Sequence, residues 1–445
     1  MSTDAGFTGA ESRNTASADS PSPHATGSRW QRWRRNSVVI ASVVALTLVV
    51  TLGFVVVSQG PRVVSQDVAT DALVSTSAGR VVITLDQPVQ PLAATAAQVT
   101  PLALASVASD GNSVSIFFQE TLDYSTEYTV QIPVVSASTG AATTIEIAFE
   151  TPALTVETLN TSGRESTVLA RALSGGDVQV NFESEAIVAE AGMIDQTWVT
   201  LQNSAIGDGD TAQSIVSFAP IDAFDAREVV VPSSKLSDLR LDSATGLVGF
   251  IGDETLWMID LSDPDLVPTP LLDEVVAWEL IPRTVTFAAL TRSGEVVVGD
   301  VLTGELKVVA SGQNLLTPVP GGQAVASRGD TGWLTISADG TVTALAELTI
   351  TEGAATELVA SPTASISVAA DGTVATRFDG VETTVLAEPL TDTQRFGAAC
   401  LSPGGQLLAL EVISGDPDTP PSTMIVDAET GAPHPLMQGS ILGWC

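Results

Sequence analysis

The chain has 445 residues, of which 44% are hydrophobic and 16% charged, enough apolar mass for a sizeable core. After residue 36 it carries 13 basic against 49 acidic side chains, a net charge of −36. A surface so acidic repels nucleic acid and anionic headgroups, which excludes a nucleic-acid-binding role and leaves room for cationic partners. In chain order, residues 1–36 begin with a Ser-, Thr-, Ala-, Gly- and Pro-rich stretch too polar to offset chain entropy, and they read as a disordered tail. Residues 37–58 contain "VVIASVVALTLVVTLGFVVV", a run from Val38 to Val57 without a charge. As a helix it would be about 30 Å long, the thickness of a bilayer core. "RWQRWRR" stands directly before it, and Arg32, Arg34 and Arg35 place that side in the cytoplasm. The run exceeds a signal-peptide core, and "VVVSQGP" lacks small residues at cleavage spacing, so an uncleaved single-span signal-anchor is expected. The lipid bilayer is then one partner. The rest lies outside the cell, and its scarcity of lysine (only Lys235 and Lys307) suits an extracytoplasmic bacterial protein.

Residues 66–152 alternate apolar and polar side chains between turn residues, in "RVVITL", "SVSIFFQ", "EYTVQIPV" and "TIEIAFET". Short strands at this spacing predict a β-sandwich. Gln87, Pro88 and Val89 form a turn after the first strand; Leu122 precedes Thr126 and Tyr128; Phe149 and Thr151 close the unit. In these residues the segment resembles the bacterial Ig-like domain of surface-layer proteins, the SbsA-type module, and the resemblance covers about one fifth of the chain. It implies a spacer or adhesive unit. Ser125 stands where that family commonly has Gly, so a different turn geometry is expected there.

A linker, "ALTVETLNTSG", is expected next, and then a second β-domain over 160–445. "LWMIDLSDPD", "VVVGDVLTGE" and "TMIVDAETGA" each end an apolar run at an aspartate: Asp260, Asp300 and Asp427. Ser337 occupies the same slot, and Phe182, Phe218 and Phe378 fill the intervals, giving seven markers about forty residues apart. That period predicts a β-propeller of seven four-stranded blades, with six or eight remaining open. The apolar runs upstream of each marker, such as "TVLARAL", "LVGFIG" and "LLALEV", read as the inner strands. Asp-x-x-Thr-Gly reads as a hairpin turn, because Asp accepts backbone N–H groups and Gly supplies positive φ. The region resembles WD-repeat and YVTN-type propellers. A phosphate loop is excluded, since Gly304 leads into "ELKVV" rather than a Lys-Ser/Thr helix start. The fold class expected is therefore all-β, a sandwich plus a propeller behind one transmembrane helix.

Chemistry is sparse. His24 lies in the tail and His434 in "APHPL", and no Gly-x-Ser-x-Gly elbow, HExxH or Rossmann fingerprint occurs. Asp208 and Asp210 in "IGDGDTAQS" are calcium-like but lack the remaining loop ligands. No cofactor, metal or catalytic residue is expected. Trp257 and Trp333 read as core, and Trp198 as either core or channel mouth. The expected role is a membrane-anchored binding or scaffold protein whose propeller takes a protein, glycan or wall polymer. A propeller hydrolase or lyase using paired carboxylates and a transmembrane sensor are the alternatives. Cys400 and Cys445, both beyond the anchor, are expected to pair where the propeller's two ends meet.

Overall fold

The computed structural model describes Ser42, Val44 and residues 60–444, apart from 76–78, 163–164, 204–212, 222–225, 321–323, 330–331, 346–347, 349–350, 352–353 and 417–418. The polar tail, Arg32, Arg34 and Arg35, Asp208 and Asp210, Cys445, and the predicted anchor except for Ser42 and Val44 lie outside the described residues. Those two are helical. Among the described residues no helix is long and apolar enough to cross a membrane. The chain divides into two units, Met1–Gly60 and Pro61–Cys445, and the second holds every strand among the described residues.

Among the described residues the first part of this unit has seven strands: β1 (Val63–Val68), β2 (Arg80–Leu85), β3 (Gln98–Thr100), β4 (Ala105–Asp110), β5 (Ser113–Phe118), β6 (Glu127–Val135) and β7 (Ala142–Glu150). One short helix, α1 (Thr70–Ser75), follows β1. The sheets β1-β2-β5-β4 and β3-β6-β7 share a single core. Period-two alternation creates it: Val81, Ile83 and Leu85 of β2 are buried, as are Tyr128, Val130, Ile132 and Val134 of β6. The four strands expected from sequence are β2, β5, β6 and β7; β1, β3 and β4 are additional. Tyr128 stacks on Phe149, and its hydroxyl accepts the Asp123 N–H at 3.1 Å. Thr151 donates to the Asp123 carbonyl at 2.6 Å and accepts the Thr126 N–H at 2.8 Å. These bonds hold Ser125 at φ 50°, so the left-handed turn is made without glycine.

Residues 151–154 join the sandwich to the next strand, Thr155–Ser162, so most of the segment read as linker is strand, and the boundary at 160 falls inside it. Among the described residues there follow seven four-stranded antiparallel sheets, the blades. Their strands are named A to D from the centre outwards. Blades 2 to 7 are continuous in sequence, and their A strands are Val188–Ile194, Leu236–Asp242, Val275–Leu280, Asn314–Pro318, Ala354–Ser361 and Gln394–Leu401. Each packs against the next, which arranges the blades as a ring around a channel.

Blade 1 is composite. Its strands B, C and D are Thr155–Ser162, Glu165–Ala172 and Gln179–Ser184, and its strand A is Ser440–Ile441 from the C-terminus. Ser440 pairs with Leu159 and Ile441 with Thr158. The two ends of the domain thus close the ring and cover what would otherwise be open strand edges.

The apolar runs read as inner strands are in fact second strands. Leu247–Gly252 is strand B of blade 3, Thr286–Thr291 of blade 4 and Leu407–Ser414 of blade 7. These strands are the most buried because they have a strand on each side and a blade against each face, whereas a strand A borders the channel. The first repeat is offset: "TVLARAL" lies in strand C of blade 1 and Phe182 in strand D. Blade 1 takes its strand A from the other end of the chain, so its run and marker fall one strand further out than those of the other blades.

The sandwich is docked on blade 7. Thr121 donates to the Gly404 carbonyl at 3.1 Å, and the Gln406 amide donates to the Leu122 carbonyl at 2.6 Å. Any Cβ at Gly404 would overlap the Val74 carbonyl oxygen, so only glycine permits this approach. Gly404 and Gln406 belong to the turn between strands A and B. β1 begins beside Leu85 at one end of the sandwich, while Val74, Thr121 and Leu122 follow the opposite ends of β1 and β5.

Candidate functional site

The channel wall is built by the A strands, and in blades 2 to 7 each of these carries a register shift against its strand B. A bulge leaves backbone amides without ladder partners. In blade 3 the shift lies between Ser237 and Arg240, with Asp238 at φ 54°. Glu190 from blade 2 satisfies the amides freed there: its carboxylate accepts the Asp238 N–H at 2.9 Å and the Leu239 N–H at 2.7 Å. Trp278 of blade 4 donates its indole N–H to the Asp238 carbonyl at 3.0 Å.

The bulge turns Arg240 towards blade 4. Its Nε donates to Glu279 Oε2 at 2.8 Å and its Nη1 to the Leu239 carbonyl at 3.1 Å. Burial pushes the Glu279 carboxyl above its ordinary range, against the opposing effect of Arg240. Burial also disfavours the Arg240 cation, but the carboxylates of Glu279, Asp238 and Glu190 outweigh it, so Arg240 stays charged. A second pair, Arg328 with Glu357 at 3.1 Å, links blades 5 and 6, and Glu357 also accepts the Thr351 N–H. In blade 7 Glu411 accepts the Ser440 hydroxyl at 2.8 Å, tying the closing strand to its neighbour.

A cavity of about 220 Å³ lies at the channel end nearest the turns between strands A and B. Met193, Leu241, Pro318 and Trp444 give it apolar walls, and Arg240 and Glu279 supply its charge. The residues reach it from separate blades because they end A strands that run in the same direction. Gly192 belongs to this wall for a packing reason: a Cβ there would lie 2.5 Å from Leu241 Cδ1.

The other residues singled out by sequence fall elsewhere. Trp198 is buried and packs on Phe182 with ring centroids 5.7 Å apart, so it is core and not channel mouth. Trp333 is buried as well. His434 follows the turn between strands C and D of blade 7, its N–H bonded to the Ile425 carbonyl at 2.8 Å. Among the described residues no group of three His, Cys, Asp or Glu is gathered to hold a metal. Cys400 is buried in strand A of blade 7, and no described cysteine is free. Arg240, Glu279 and Glu190 were missed by sequence reasoning. For Glu279 the signal was a lone charge in the otherwise apolar "VVAWEL"; Arg240 stands between two aspartates in "SDLRLD", and only the pair's separation of 39 residues, matching the blade period, points to it.

No family model and no curated protein matches this chain. Solved structures that overlap it include a protein of unknown function from Bacteroides thetaiotaomicron, at 13% identity and TM-score 0.36, covering 79% of this chain and 95% of that one. The β-propeller domain of Cps50 (Swd1) from Myceliophteria thermophila overlaps at 12% identity and TM-score 0.40, over 57% and 87%. TolB from Acinetobacter baumannii does so at 10% identity and TM-score 0.38, over 78% and 82%. Overlaps this loose say nothing of ligand or activity, and the ring of blades rests on the strand pairing described above.

Proposed function

We propose that this chain is a non-catalytic binding protein, anchored by residues 37–58 in a bacterial plasma membrane with its Ig-like sandwich and propeller outside. The propeller holds the ligand, a protein, glycan or wall polymer, and the sandwich sets its stand-off. One observation carries the reading: among the described residues lining the channel cavity the sole carboxylate is Glu279, and it is bonded to Arg240. Glycoside hydrolysis needs two carboxyl groups about 5–10 Å apart, one of them free to transfer a proton. A neutral pair beside an apolar wall suits recognition instead.

Full-length protein in detergent, incubated with isolated cell-wall polymer, tests this. The expected result is retention of the protein on the polymer with no new reducing ends. Release of reducing ends that disappears in Glu279→Gln would replace the binding reading with the hydrolase alternative. Topology is checked separately: protease added to spheroplasts is expected to remove the propeller and spare an N-terminal tag.

A further inference from the structure

We infer that the cavity at the A-to-B end of the channel is a subsite for a single neutral pyranose ring. The inference rests on the binding reading above and specifies the chemistry of the ligand. Arg240 uses Nε and Nη1 within the protein, which leaves Nη2 as a donor, and its side chain retains 20% exposure. Glu279 meets Arg240 through Oε2, and its carboxylate keeps lone pairs for a further donor. The pair therefore offers a donor and an acceptor side by side, in surroundings that Glu190 and Asp238 make net negative. An anion would meet Glu279, with Glu190 and Asp238 close behind; a cation would meet Arg240. A polyol satisfies both, because each hydroxyl gives and takes a hydrogen bond. The remaining wall, Met193, Leu241, Pro318 and Trp444, matches the C–H face of a sugar ring, with the indole as a flat partner. At about 220 Å³ the cavity lies below the roughly 300–1,000 Å³ of sites for drug-sized molecules, so it takes one ring and not a chain.

Full-length protein in a non-glycosidic detergent is titrated with methyl glucoside, N-acetylglucosamine and glucuronate, with tryptophan emission and calorimetry as readouts. The neutral sugars are expected to bind saturably and to shift the emission. Trp444→Leu and Met193→Glu are each expected to weaken that binding about tenfold. Met193 is 41% exposed, so its variant folds even where Trp444→Leu does not. Glucuronate binding about tenfold more tightly than the neutral sugars, or neutral-sugar binding unaffected by Met193→Glu, overturns the assignment. So does the absence of saturable binding by any of the three. If the wall polymer still retains the protein in that case, the binding reading stands and only the subsite falls.

Discussion

Asp300 and Asp427 hold the same turn in two different blades. The Asp300 carboxylate accepts the N–H groups of Leu302 and Thr303 and the Thr303 hydroxyl; Asp427 does so for Glu429, Thr430 and the Thr430 hydroxyl. Gly304 and Gly431 follow at φ 70° and 72°. This was legible in "DVLTG" and "DAETG" because every partner lies within four residues. Burial raises the Asp427 carboxyl, but the bonds from Thr430 and Glu429 outweigh it and hold the group below its ordinary value. A carboxyl whose folded pKa is depressed stabilises above its unfolded pKa and loses that contribution as pH falls through the folded value. Asp427→Ala is expected to cost about 1 kcal/mol at neutral pH, and the gap from the parent should close in melts taken below the ordinary carboxylate range. Arg240 and Glu279 were illegible for the opposite reason: their partners lie in different blades, and no local pattern announces that contact. Glu279→Ala leaves Arg240 buried and unpaired, with an expected loss of about 3–5 kcal/mol by denaturant melting. Arg240→Met combined with Glu279→Leu should recover most of it, since apolar side chains of similar volume replace buried ion pairs at little cost.

Strands were legible where alternation or apolar runs were unbroken, as in β2, β6 and the B strands. The A strands were overlooked because a bulge interrupts their period and the channel admits charge. The strand that closes the ring is the extreme case, since Ser440–Ile441 has two residues and no periodicity, and only the expected pairing of Cys445 with Cys400 marked that end of the chain. Its importance exceeds its length. Ile441 and Trp444 pack against Val156, Leu407, Ala409, Ile425 and Met437, a cluster joining the first and last blades. Truncation after Gln438 should abolish the single cooperative melt and expose the Thr155–Ser162 edge, detectable as aggregation on size-exclusion chromatography. Ala409, in the same cluster as Trp444, pairs with Cys400 across the ladder. We expect a Cys400–Cys445 disulfide. Closing a loop of about 45 residues, it is worth roughly 3–4 kcal/mol in the chain-entropy model. Mass spectrometry of unreduced protein should show no alkylatable thiol, and two labelled thiols per chain would rule the bridge out.

At the scale of the whole chain, the order of sandwich and propeller and the number of blades were legible, since the change in strand pattern marks one and the repeat period the other. The docking between them was not. It depends on Gly404 approaching the Val74 carbonyl and on Gln406 reaching Leu122, across a sequence separation of 284 residues for the latter pair. Gly404→Val should push the sandwich off blade 7 while both cores stay folded, so cleavage at residues 151–154 by added protease should accelerate without loss of the propeller's melt. With the contact intact, the chain enters at one end of the sandwich and the propeller is fixed at the other. The two then behave as a single arm and not as beads on a string. A flexible pair must search orientations anew at each encounter, and that lost freedom weakens every bond formed. A sandwich and propeller already held together have surrendered it before they meet a partner. A ligand that meets the propeller's rim then costs its own ordering and that of the rim, not a search by the whole arm.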